Sequence, residues 1–131
     1  MRADQIRTAI APALALALLP VLAAGPGLAD PSALTQAEKD AFRDTVAACW
    51  VAPDSMATVT VAFRLDPQGL PDPDSFRVVG ASNPALEPAL MAARRAVMRC
   101  AGAGYALPAA RYDEWSEVEM TFAASGVELT G

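Results

Sequence analysis

The chain has no histidine and a single lysine, Lys39, in 131 residues. Without imidazole the usual general base is gone, together with Ser-His and Cys-His nucleophile pairs and most transition-metal sites. Cysteine is nearly as scarce. Cys49 and Cys100 are too few for a zinc site and lack the C-x-x-C spacing of a redox pair. No glycine-rich phosphate loop precedes a helix. Fifteen acidic against ten basic residues give a net charge of −5, which disfavours nucleic acid and anionic lipid as partners. What remains for chemistry is carboxylates, and no cofactor is implied. Asp72 and Asp74 sit in a proline-rich stretch and read as turn residues. Glu117 and Glu119 share one strand face and read as solvated, or paired across a sheet with Arg64. A small exported enzyme using Glu117 and Glu119 is the alternative reading, and it lacks an orienting partner for either carboxylate.

The one long apolar run lies at the start. Arg2 and Arg7 precede an almost wholly apolar stretch from Thr8 to Ala24, and the small residues Gly27 and Ala29 flank Leu28. Charged start, apolar run and small residues at −3 and −1 form the layout of a secretory signal, with cleavage after Ala29. Pro12 and Pro20 interrupt the run, and it falls short of the ~20 residues a membrane span needs. The alternative is an uncleaved anchor. Signal removal at 1–29 leaves one domain, 30–131, of 102 residues with a net charge of −6, because Arg2, Asp4 and Arg7 go with the signal. In an oxidising compartment two cysteines form a structural disulfide. Joining Cys49 to Cys100 closes a loop of about 50 residues, worth roughly 4 kcal/mol in the chain-entropy model.

Two helices and three strands follow from the patterning. Thr35-Gln36-Ala37-Glu38 has the capping-box form, and Phe42, Val46 and Cys49 make the core-facing stripe of the first helix. Thr58 to Leu65 alternates with Val59, Val61, Phe63 and Leu65 on one face, the pattern of a half-buried strand. Asp66-Pro67-Gln68-Gly69 is a turn, and Phe76 to Val79 a shorter second strand. Asn83 caps a helix that starts loosely at Pro84 and is regular from about Pro88 to Arg99. Leu86, Leu90, Ala93, Val97 and Cys100 form its apolar stripe, and its late arginines suit the helix dipole. Ala109 to Asp113 reads as one helical turn. Trp115 to Phe122 is the third strand, with Val118, Met120 and Phe122 inward. Ala123 to Gly131 has no firm pattern, although Val127 and Leu129 are spaced to add a short edge strand. Trp50 and Trp115 read as core-rim packing, with Tyr112 and Trp115 as an alternative interaction surface.

The order α-β-β-α-β makes the second helix a crossover from strand 2 to strand 3. Placing strand 1 between them gives an α+β fold: a three-stranded antiparallel sheet, order 2-1-3, with both helices on one face. Strand 3 is then an exposed edge, and Trp115, Glu117, Glu119 and Thr121 are its candidate partner-binding residues.

Several short motifs, in order, resemble the C-terminal domain of TolA within the broader TonB/TolA C-terminal type. They are Cys49-Trp50 closing the first helix, Val59-x-Val61-x-Phe63 before Gly69, and Phe76-Arg77-Val78-Val79-Gly80. Then come Ala92-Ala93-Arg94-Arg95-Ala96-Val97 with Arg99-Cys100, the Leu107-Pro108 step with Tyr112 and Trp115, and Glu119-Met120-Thr121-Phe122. The match runs from about Leu34 to Phe122. The resemblance implies a non-enzymatic binding module in the periplasm of a Gram-negative bacterium. Its implied partners are envelope proteins, such as TolB and the peptidoglycan-associated lipoprotein, or an outer-membrane receptor. Strand addition at a sheet edge is the recognition mode it suggests. Transducers of that type carry an inner-membrane anchor and a long spanning segment before this domain. Here the domain follows the signal directly, so the expectation is a free-standing periplasmic relative with no membrane span in its mature chain; a membrane-anchored transducer relative, its first segment uncleaved, is the alternative.

Overall fold

The computed structural model describes residues 34–80 and 83–130; the expected signal at 1–29 and its cleavage site lie outside the described residues. Helix α1 spans Gln36–Ala47 and begins with the capping box in full. The Glu38 backbone N–H donates to Thr35 Oγ1 at 3.1 Å, and the Thr35 N–H donates to Glu38 Oε1 at 2.8 Å. That backbone bond, with Arg111 beside it, holds the Glu38 carboxyl below the usual glutamate range. Phe42 and Val46 are the buried residues of α1. The helix ends before the expected stripe does. Cys49 and Trp50 donate instead to the Val46 and Ala47 carbonyls, three residues back, and tighten the chain into a turn.

Strand β1 spans Val59–Arg64 and β2 spans Arg77–Val78, each a little shorter than its sequence pattern. The connection between them is pinned locally. Asp66 Oδ1 accepts from the N–H groups of Gln68 and Leu70, and Gly69 N–H closes the turn on the Asp66 carbonyl at 2.8 Å. Gly69 has a φ of +83° and Gly104 of +128°, and a Cβ on either would strike backbone of the other loop. The two loops touch through Tyr105 N–H donating to the Gly69 carbonyl at 2.9 Å. Only glycine permits that approach.

Asn83 Oδ1 accepts from Ala85 N–H and caps a single 3-10 turn at Pro84–Leu86. Helix α2 then runs Glu87–Cys100, so the loose first turn is a distinct 3-10 segment and the regular helix begins one residue before Pro88. Its buried face is Ala89, Ala92, Ala93, Ala96 and Val97, whereas Leu86 and Leu90 are only partly buried beside it. The face turned inward is thus the alanine side of the predicted stripe. Methyl groups let the helix backbone sit closer to the sheet than leucines would.

A 3-10 turn at Ala109–Arg111 leads into the one-turn helix α3, Tyr112–Trp115. Strand β3 follows at Glu117–Ala123, and β4 at Gly126–Leu129. The sheet is antiparallel throughout, in order β2-β1-β3-β4. The α+β class and the central position of β1 agree with the sequence reading. The strand count does not: a fourth strand hairpins back from β3 through Ala124-Ser125, pairing Phe122 with Val127 and Met120 with Leu129. Its inward Val127 is buried against Phe122, and that apolar pairing is what the final residues contribute.

The core lies between one sheet face and the two long helices. Val59, Val61, Phe63, Val118, Met120 and Phe122 meet Phe42 and Val46 of α1 and Ala93 and Val97 of α2. Tyr105 closes it from below, edge-on to Phe42 at 4.8 Å, with its hydroxyl donating to the Val97 carbonyl at 2.6 Å. Burial raises the pKa of that phenol, so it stays protonated. Cys49 and Cys100 are joined in a disulfide, with Cα atoms 5.9 Å apart and 51 positions between them in sequence.

Two stability outcomes follow from this core. Cys49→Ser is expected to lower unfolding free energy by roughly 2–5 kcal/mol, read by denaturant titration; equal stability with and without reductant contradicts it. Gly69→Ala is expected to cost about 1–3 kcal/mol by straining the turn against Tyr105, seen as a lower denaturant midpoint at unchanged slope.

Candidate functional site

The side of the sheet away from the helices is polar and internally paired. Glu117 lies opposite Arg64 on β1, as the sequence suggests, but the ion pair forms elsewhere. Arg77, from β2, reaches across β1 to Glu117 Oε2 at 2.7 Å, while Arg64 turns to Asp72 Oδ2 at 2.9 Å. Asp72 also accepts from the Asp74 backbone N–H, and that bond holds its carboxyl below the usual range. Ala62, between Arg77 and Glu119 in register, is fully buried although it belongs to this face. Thr60, Thr121 and Thr130 continue the layer as a hydroxyl ladder, with Oγ1 atoms 2.9 and 3.1 Å apart.

The four residues expected to form a binding edge separate. Trp115 is not in a strand: it is 2% exposed in α3, stacked edge-on with Tyr112 at 4.8 Å, and its Nε1–H donates to the Pro108 carbonyl at 2.8 Å. Tyr112 is itself tied to the Leu65 carbonyl at 2.7 Å. These two aromatics anchor α3 against β1. Thr121 faces Glu128 in the β3–β4 ladder, and the Glu119 carbonyl accepts from Thr130 N–H at 2.9 Å. Strand β3 is therefore an interior strand over most of its length, and only Glu117 and Val118 lie past the end of the β4 ladder. The open edge has moved out to β4.

The ladder fixes which backbone groups of β4 face outward. The bond from Thr130 N–H to Glu119 turns Thr130, and with it Glu128 and Gly126, toward β3. Val127 and Leu129 therefore point their N–H and C=O groups away from the sheet, and no hydrogen bond reaches these groups among the described residues. Helix α1 runs beside this edge and leaves a groove. Two adjoining cavities of about 110 and 160 Å³ share Lys39 and Leu129 in their walls. The first has an apolar floor of Leu34, Phe42, Leu107, Trp115 and Val118, rimmed by Glu114, Glu117 and Glu119. The second lies between Gln36, Asp40 and Arg43 of α1 and Glu128 of β4.

Other possibilities are weaker. The opposite edge, β2, is two residues long. A cavity of about 310 Å³ beside the disulfide is lined by Val51, Ala92, Arg95 and Arg99 and offers no backbone ladder. Among the described residues no group of three or more carboxylates and cysteines is placed to hold a metal ion. The signal that points to β4 is short: Val127 and Leu129 alternate behind Ser125-Gly126, a turn dipeptide. Comparison of the chain with protein-family models, with curated proteins and with solved structures finds no match.

Glu117→Gln with Glu119→Gln is expected to change unfolding free energy by no more than about 1 kcal/mol, since the Arg77 pair is solvent-exposed. Thermal unfolding of the double variant measures this.

Proposed function

We propose that the chain is an exported, non-enzymatic protein-interaction module of the TolA/TonB C-terminal type, acting in the periplasm of a Gram-negative envelope. It takes up an extended segment of an envelope partner, either a TolB- or lipoprotein-like component or an outer-membrane receptor. The observation that carries this reading is the β4 edge, where Val127 and Leu129 present unpaired backbone groups beside the α1 groove. An added strand gains main-chain hydrogen bonds there, and the groove receives alternate side chains. The Cys49–Cys100 disulfide suits an oxidising compartment. No helix among the described residues is long and apolar enough to cross a membrane.

The test removes one outward N–H together with the Leu129 side chain, which lines both cavities, so Leu129→Ala, which keeps that N–H, is measured beside it. Leu129→Pro deletes an outward N–H while leaving every β3–β4 bond in place, because proline is tolerated where the N–H faces solvent on an edge strand. Crosslinking in a periplasmic fraction is expected to capture an envelope partner with the wild-type chain. With Leu129→Pro that capture is lost, with Leu129→Ala it is retained at least in part, and both variants still unfold cooperatively. Undiminished capture by Leu129→Pro, or no envelope partner with the wild type, rejects the proposal.

A further inference from the structure

Charge is unevenly distributed about the β4 edge, and its arrangement restricts what can bind. On the outer face Glu128 lies opposite Thr121, with Glu119 two residues along β3 and Glu117 beyond it. The carboxylates of Glu114 and Glu119 have no hydrogen bond or ion pair among the described residues, and both rim the groove. Glu128 has only the field of Arg43, which is itself bridged to Asp40 at 3.4 Å and Asp44 at 3.0 Å. On the helix side of the same edge the charges are mixed: Lys39 stands beside Leu129, Arg43 is neutralised by Asp40 and Asp44, and Glu128 reaches the wall of the same cavity.

A strand added to β4 sends its side chains alternately to these two faces. Residues opposite Glu128 stand about 4.5–5.5 Å from it between Cβ atoms, close enough for cross-strand charge pairing. Acidic residues at those positions would face Glu128, with Glu119 one strand further in. On the helix side the groove floor of Leu34, Phe42, Leu107 and Val118, with the aliphatic stem of Lys39, suits apolar groups.

We infer that the segment selected at this edge alternates basic with apolar residues, placing lysine or arginine on the outer face against Glu128, with Glu119 one strand further in, and apolar side chains in the α1 groove. This rests on the β4-edge reading and adds the chemistry of the partner. The net negative charge of the chain steers such a segment toward the protein.

Binding of three short acetylated peptides to the intact, oxidised protein tests it: one alternating lysine with valine, one alternating glutamate with valine, and one carrying the same lysines and valines in two separate blocks. The alternating lysine peptide is expected to bind at least about tenfold more tightly than the other two, and to weaken as salt rises. Glu128→Gln is expected to lower its affinity about threefold, a size set by one cross-strand charge pair, and Leu129→Pro to abolish binding. Equal or tighter binding of the glutamate peptide overturns the inference and leaves the edge reading standing. Equal binding of the block peptide, or binding retained by Leu129→Pro, shows diffuse charge attraction and also overturns it. So does failure of all three peptides to bind while Leu129→Pro still loses the crosslinked partner. The edge reading itself fails on a different result, partner capture that survives Leu129→Pro.

Discussion

Strand β1 is hydrogen-bonded along both edges and buried without interruption from Val61 to Phe63, and the remaining elements take their places from it. Its inward Val59, Val61 and Phe63 set the register of β3 through Phe122, Met120 and Val118. A one-residue slip would turn all of these side chains to the polar face. Because β2 and β3 occupy opposite sides of β1, α2 must pass over β1 to connect them. The alanine face of α2 is the means by which it does so at close range. Phe76, just before β2, stacks on Phe63 at 4.9 Å and ties the shortest strand to the centre.

The disulfide, Trp50 and an ion pair then fix the periphery to this centre. Cys49 binds the end of α1 to the end of α2, so the two helices that cover the sheet cannot separate at that end. Trp50, next in sequence, lies 4.9 Å from Phe122 and donates from Nε1 to the Ala123 carbonyl at 2.9 Å, locking the turn after α1 to the end of β3. At the other end of α1, Arg111 meets Glu38 in a partly buried pair. Helix α1 is thereby held at both ends beside β4, and these ties bound the groove between them.

An exposed strand edge invites uncontrolled pairing, and this fold limits the hazard in ways that also shape its selectivity. The edge at β2 is two residues long. The edge at β4 is four residues long, flanked by α1 and marked by Glu128 on its outer face. A second copy of the chain would bring its own carboxylates to that position, and the like charges oppose self-pairing. The same acid rim that keeps copies apart favours a segment of opposite sign.

Much of this was legible from local pattern. The capping box at Thr35, the alternation from Val59 to Leu65, the Asn83 cap and the disulfide all rest on residues that are neighbours in sequence or on the scarcity of cysteine, and short-range physics decides them. The antiparallel order around β1 followed from connection rules alone. Three things required the tertiary structure. Trp115 reads as a strand residue by alternation, but Tyr112 and the Pro108 carbonyl hold it in a helical turn inside the core. Glu117 reads as solvated or as the partner of Arg64; it is half exposed, Asp72 takes that guanidinium, and Arg77 reaches over the small Ala62 to Glu117 instead. The identity of the open edge depended on four weakly patterned residues at the end of the chain, whose strand state is stabilised by packing against Met120 and Phe122 and not by propensity. Sequence by itself determined the helices, the central strand and the bridge between Cys49 and Cys100, because capping, periodicity and turn chemistry act over a few residues. Only the fold decided which edge stays unpaired and which charges surround it, because both depend on contacts between residues far apart in the chain.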